Sequence, residues 1–222
     1  MQEALLNDLP LFPLQAPLFP DGVLHLRVFE PRYLDMVRRC HEQGRPFGVV
    51  CLTEGSEVRR SDGAGGFEPE RFHALGTLAH IVALERVQPG LLQLRCRGGQ
   101  RFQLEASDCL PHGLWIGRAR LLPEDAAIEV PEDLAPLAPL LQSLVHSLAQ
   151  GAAQAEMPVS PPYRWHDCGW LANRWSELLP LPISERQRLL AQDSPLLRLE
   201  LVADQLERLG ITPTPGPAAP GG

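Results

Sequence analysis

Two short stretches of this 222-residue chain set metal-ligating side chains side by side: Cys40-His41 and His166-Asp167-Cys168. A zinc site needs ligands converging from tetrahedral directions, and sequence neighbours seldom converge without a distant partner. The other histidines, His25, His73, His80, His112 and His146, are dispersed. Core or surface roles are expected for them, and neither a metal nor a cofactor is expected. The five cysteines, Cys40, Cys51, Cys96, Cys109 and Cys168, are odd in number, widely spaced and without a CxxC pair. That pattern predicts reduced, mostly buried thiols in a cytosolic protein, not a disulfide framework.

All 20 basic residues are arginine. With no lysine, a Walker A phosphate loop, a Ser–Lys dyad and Schiff-base catalysis are excluded. No GxSxG elbow occurs, and Ser56 lies in a charged stretch where solvation is its ordinary role. A Cys–His pair assembled in space stays open at the level of scattered residues. "GAGGF" at 63–67 follows no clear strand into a helix, so it reads as flexible linker and not as a phosphate cradle. "RCRGGQR" at 95–101 sets three arginines around a Gly-Gly pair, which reads as a hairpin with a solvated basic side. Trp165, Trp170 and Trp175 cluster late in the chain, where core packing is the default and a partner groove the alternative. The Arg/Glu spacing in "SERQRLLAQDSPLLRLELVADQL" reads as surface pairing on helices.

A hydrophobic content of 44% supports one good core, or a domain with a smaller helical part. The net charge of -7 argues against general affinity for nucleic-acid phosphates or anionic lipid. No apolar run approaches the roughly 18 residues that span a bilayer. The N-terminus carries Glu3 and Asp8 and has no basic leader region, so no secretory signal is expected.

The elements that would position these residues follow from periodicity and punctuation. Leu9–Leu14 reads as a first strand, with its prolines at a sheet edge or at its ends. "FPDG" at 19–22 is a turn, and Leu24, Leu26 and Val28 share one face of a second strand. Pro31 opens a helix that Gly44 ends. "PFGVVCL" at 46–52 is a buried strand, and 53–71 is a Gly-rich, charged loop. The stretches "FHALGTLAHIVALERV", "GLLQLRCRG", "QRFQLEA" and "LWIGRARLL" read as further strands, separated at Pro89-Gly90, Gly98-Gly99 and 107–113. Short strands at that spacing predict an antiparallel barrel or sandwich. From about residue 123 the chain turns helical. An amphipathic helix carries Leu134, Leu137, Leu141, Leu144, Val145 and Leu148, its regular part delayed by Pro136 and Pro139. Three more helices follow, with Ser184 as the expected cap of the second and Gly210 as the stop of the third. The Pro/Gly-rich tail, 211–222, cannot build a core. The expected organisation is α+β: strands in 1–123, helices in 124–210, then the tail.

The segments "LPLFPLQAPLFPDGVLHLRVFEPRYLDMV", "FGVVCLTEGSEV" and "LGTLAHIVALERVQPGLLQLRCRGGQRF" resemble the N-terminal substrate-binding domain of Lon proteases. "WLANRWSELLPLPISERQRLLAQDSPLLRLELV" is similar to that domain's helical second half. The resemblance spans about residues 8–210. It implies a PUA-like antiparallel β-barrel followed by a helical bundle. Full-length Lon continues into an ATPase and a Ser–Lys protease, neither of which is hidden in a chain without lysine. The resemblance thus implies a standalone, non-catalytic, cytoplasmic binding module, not an enzyme. Glu30, Arg32, Tyr33 and Arg101 match recurrent family positions and are the candidate binding residues. Their structural reading is that Glu30-Pro31 starts the helix, Tyr33 packs it, and Arg101 pairs with a carboxylate at a strand end.

The resemblance implies unfolded or extended protein segments as partners, with an adaptor or regulator role in proteolysis as the leading reading. Apolar surface between the two halves would bind such segments. The alternative is RNA binding by a PUA-like fold, against which the acidic balance weighs. No membrane partner is expected, and a homodimer is left open.

Overall fold

Leu9, Leu11, Phe12 and Leu14 are buried in the first strand, and what they meet on each side defines the sheet. The computed structural model describes residues 4–58, 69–151 and 157–211. The expected flexible stretch at 63–67 and nearly all of the tail lie outside those residues. The strands are β1 (Leu5–Leu14), β2 (Val23–Val28), β3 (Phe47–Glu54), β4 (Arg71–Gln88), β5 (Leu91–Cys109) and β6 (Trp115–Leu121). Helix α1 (Pro31–Glu42) falls between β2 and β3. Helices α2 (Leu137–Gly151), α3 (Cys168–Leu178), α4 (Ile183–Ala191) and α5 (Pro195–Arg208) follow the strands. The result is a mixed α+β fold, with one six-stranded sheet and five helices among the described residues.

The sheet order is β2-β5-β4-β3-β1-β6, and β5 also pairs with β6. Two expectations are corrected here. First, the sheet is not wholly antiparallel, because β1 and β3 run parallel. The intervening helix α1 returns the chain to the start of β3, as a parallel connection requires. Second, β1 is not an edge strand, since β3 and β6 flank it. Its prolines are tolerated because the two partners overlap at one residue, Leu11. Pro10 pairs only with β6 and Pro13 only with β3. Each proline keeps one unpaired flank where its missing N–H is not needed.

Gly98-Gly99 is not a turn either. β5 runs through it as one strand and changes partner there. Leu92–Arg97 pair with β2, while Phe102–Cys109 pair with β6. An irregularity against β4 between Thr77 and Ala79 bends the strand at the switch. The Phe19–Gly22 turn docks on Gly98: Asp21 N–H donates to the Gly98 carbonyl and Gly98 N–H to the Gly22 carbonyl, both at 2.8 Å. The true hairpin turn is Pro89-Gly90, where Gly90 has φ +80°.

Three apolar clusters form the interior. Leu9, Leu11, Val50, Leu78, Phe102 and Ala119 fill the inner face of the strands. Val28, Tyr33, Met36, Val37, Cys40, Phe47 and Leu94 join α1 to the sheet, and Tyr33 stacks on Phe12 with ring centroids 4.1 Å apart. The third cluster gathers α2 to α5 around Leu141, Trp170, Leu171, Trp175, Leu190, Leu199 and Val202. Phe19, fully buried, enters this last cluster from the β1–β2 turn. α3 touches each of the other three helices.

Helix ends agree with their chemistry in most places. Pro31 occupies the first turn of α1, α2 begins after Pro136, and Gly210 (φ +70°) follows α5. Ser194 caps α5 and Asp167 caps α3, accepting from Trp170 N–H at 2.6 Å. Ser184 does not cap α4, because the helix starts one residue earlier and Pro182 holds the cap position. No helix among the described residues is long and apolar enough to cross a membrane.

Candidate binding clefts at the sheet–helix seam

Arginines placed on otherwise apolar helix stripes organise the seam. Arg32 sits among the buried residues Tyr33, Met36, Val37 and Cys40 of α1. Its guanidinium donates to Glu30 Oε2 at 2.9 Å, to Glu70 Oε1 at 2.9 Å and Oε2 at 3.2 Å, and to the Gly113 carbonyl at 3.0 Å. Trp115 Nε1 donates to the same Glu70 carboxylate at 2.7 Å. Burial opposes the Arg32 charge, but the Glu70 hydrogen bond and nearby carboxylates outweigh it and hold the guanidinium above its usual value. This knot ties α1 to the start of β4 and to the β5–β6 turn. Glu30, Arg32 and Tyr33 therefore stand together.

Arg101 belongs to a different assembly. It donates to the Leu190 carbonyl at 2.8 Å and pairs with Asp125 at 3.4 Å and Asp193 at 3.2 Å. Arg198 of α5, fully buried, reaches the same Asp125 at 2.5 and 3.1 Å and Asn173 Oδ1 at 2.9 Å. Burial and the neighbouring Arg198 charge hold Arg101 below its usual value. One carboxylate thus joins β5 to α5. The segment just after it is tied to the start of α3 by an isolated bridge between Glu129 and Asp167, through Cys168 N–H to the Ile128 carbonyl and Val130 N–H to the His166 carbonyl.

A third arginine, Arg174 of α3, clamps the β1–β2 turn. It donates to the Pro20 carbonyl at 2.7 Å and pairs with Glu177 at 2.9 Å. Burial pushes the Glu177 carboxyl up to about 7, against the opposing pull of Arg174 and the Phe19 backbone N–H. Asp21, at the tip of the same turn, accepts from Arg97 at 2.8 Å and from Arg164. The basic segment at 95–101 is therefore committed to carboxylates at Arg97 and Arg101.

Two clefts open on either side of this turn, both walled by α3. One, of about 280 Å³, is lined by Gly98, Gly99, Arg101, Glu124, Asp125, Arg164, Trp170 and Asn173 among others. The other, of about 330 Å³, has a largely apolar lining that includes Leu14, Pro17, Leu18, Leu24 and Leu178, with His25 and Glu177. Arg101 is the one candidate residue that lines a cleft; Glu30, Arg32 and Tyr33 line neither. His166-Asp167-Cys168 serves the start of α3: Asp167 is its cap, and Cys168 is buried with its thiol 3.4 Å from the Glu129 carbonyl.

Sequence reasoning missed Arg198, Asp125, Glu70 and Glu177. A signal existed for the first. The buried stripe of α5 is Pro195, Arg198, Leu199, Val202 and Leu206, so Arg198 occupies an apolar position. It is a buried partner of Asp125, not a surface pair. Asp125 and Glu70 come from distant segments and carried no such signal, whereas Glu177 stands three residues from Arg174 on the same helix.

The family model of the ATP-dependent protease La (LON) substrate-binding domain matches residues 8–208. The Lon N-terminal domain protein from Xanthomonas campestris is 31% identical, with a TM-score of 0.65 over 90% of this chain and 98% of that one. The N-terminal domain of Mycobacterium avium complex Lon protease shares the fold at 17% identity, with a TM-score of 0.56 and the same coverage. No curated protein matches the sequence. The family match runs over nearly the whole length of the chain, which belongs to the Lon substrate-binding domain family.

Proposed function

We propose that the protein is a non-catalytic module that binds unfolded or extended protein segments in the two clefts flanking the β1–β2 turn, and serves as an adaptor or regulator for such substrates in the cytoplasm. The family match supports substrate binding, and the position of the clefts supports the choice of surface. A segment laid along α3 would meet an apolar cleft beside Leu178 and a polar one beside Trp170, with the turn between them. We read the second pairing of β5 as closing β1, β3, β4, β5 and β6 into a small barrel, and α2 to α5 as a bundle. In this reading residues 1–123 and 124–210 are two subdomains meeting at the clefts. Arg101 is then a wall residue, and the Glu30, Arg32 and Tyr33 group holds the barrel side in shape.

The test is a fluorescence anisotropy titration with one labelled protein in two states, native and permanently unfolded, and with a labelled RNA at the same low salt. Saturable binding of the unfolded chain alone is expected. Binding of RNA with none of the unfolded chain would replace this reading with the nucleic-acid one.

A further inference from the structure

The indole of Trp170 lines the polar cleft, yet its N–H is buried and meets no acceptor among the described residues. The side chain is 2% exposed. Leaving such a donor unmet is costly, and buried indole N–H groups ordinarily find a partner. The other tryptophan of α3 illustrates this: Trp175 Nε1 donates to the Leu137 carbonyl at 3.2 Å. Trp170 is also held in place. Trp165 meets it edge-on at 4.9 Å and Tyr163 at 6.2 Å, and its backbone N–H is taken by Asp167.

Charges of both signs surround this donor, and the Arg174 guanidinium lies 5.8 Å from the centroid of the Trp170 ring, but the charge left unpaired at the cleft is negative. Asp21, Glu124, Asp125 and Asp167 line the cleft with Arg101 and Arg164. Both arginines are already paired, Arg101 with Asp125 and Asp193 and Arg164 with Asp21. Glu124 is exposed and forms no ion pair among the described residues. An entering ligand therefore meets uncommitted negative charge at Glu124, and it reaches the unmet donor once the cleft wall gives way around the indole.

We propose that this cleft takes an extended peptide segment carrying an arginine or lysine, with a backbone carbonyl accepting from Trp170 Nε1 and the basic side chain drawn to Glu124. The proposal rests on the protein-binding reading above and specifies its substrate chemistry. It is tested with two fluorescein-labelled Gly/Ser peptides of equal length, one bearing arginines and the other glutamates at the same positions. The arginine peptide is expected to bind and the glutamate peptide not to. Glu124→Arg, an exposed change that leaves the core intact, should weaken binding roughly tenfold or more. Trp170→Phe removes the donor together with part of the buried indole, so it is compared after urea unfolding shows the variant folded, and it should weaken binding by about 2- to 10-fold. Equal binding of both peptides, or arginine-peptide binding unchanged in Glu124→Arg, would overturn the proposal. If unfolded chains bind with no preference for basic residues, this inference fails while the broader reading stands. If the arginine peptide binds and unfolded chains do not, the broader reading fails and the cleft assignment is supported.

Discussion

Gly98 lies so close to Phe19 that a Cβ on the glycine would overlap the Phe19 carbonyl oxygen. This approach lets the β1–β2 turn rest on the long strand β5, carries the Phe19 ring into the helical core, and sets the wall between the two clefts. Gly98→Ala should cost about 3 kcal/mol in denaturant unfolding, because backbone and not a flexible side chain must move. Gly90→Ala makes a useful contrast. Its Cβ meets open space but must adopt φ +80°, so a cost of about 1 kcal/mol is expected.

Asp125 should matter far more than Asp193, although both pair with Arg101. Asp125→Ala leaves Arg198 buried without its carboxylate and removes one of two from Arg101, which should cost about 3–5 kcal/mol. Asp193 is 86% exposed, and Asp193→Ala should stay within about 0.5 kcal/mol of the parent. Urea midpoints of the two variants decide the point.

Glu177 gives stability a pH slope. Its folded value is raised from an ordinary 4.5 to about 7, so the native state keeps a proton that the unfolded chain releases. Stability from this group therefore falls as pH rises between about 4.5 and 7. The side chain retains 18% exposure, so water moderates the effect and a shallow slope is expected. Chemical denaturation across that range should show the decline in the parent, and Glu177→Gln should flatten it.

The thiols should react in two classes. Cys109 is exposed, while Cys40, Cys51, Cys96 and Cys168 are buried. Burial pushes Cys51 and Cys168 up to about 11 and Cys96 up to about 12, which suppresses the reactive thiolate. A colorimetric thiol titration should count one fast group in the native protein and all five in denaturant.

Much of the fold was legible because local chemistry dictated it. Alternation gave β2, Pro31 and Gly44 framed α1, and the late start of α2 followed from Pro136. What misled was punctuation with a tertiary cause. Gly98-Gly99 looks like a turn by composition, but a Cβ on Gly98 would meet the Phe19 backbone and one on Gly99 the His80 ring. The prolines of β1 suggest an edge, but they occupy places where one of two partners ends. The site was less legible still. Arg198 and Arg174 interrupt apolar stripes, which betrays buried arginines, yet their partners Asp125 and Pro20 come from remote loops. The clefts exist only where those segments meet.

The central claim is that extended protein segments bind in the clefts beside α3. Hydrogen–deuterium exchange of the protein with and without a saturating unfolded chain tests it most directly. Slowed exchange is expected in 17–24, 98–101 and 164–178, with α1 and the β4–β5 hairpin tip unchanged. Binding that protects other segments and leaves these three unaltered would contradict the account.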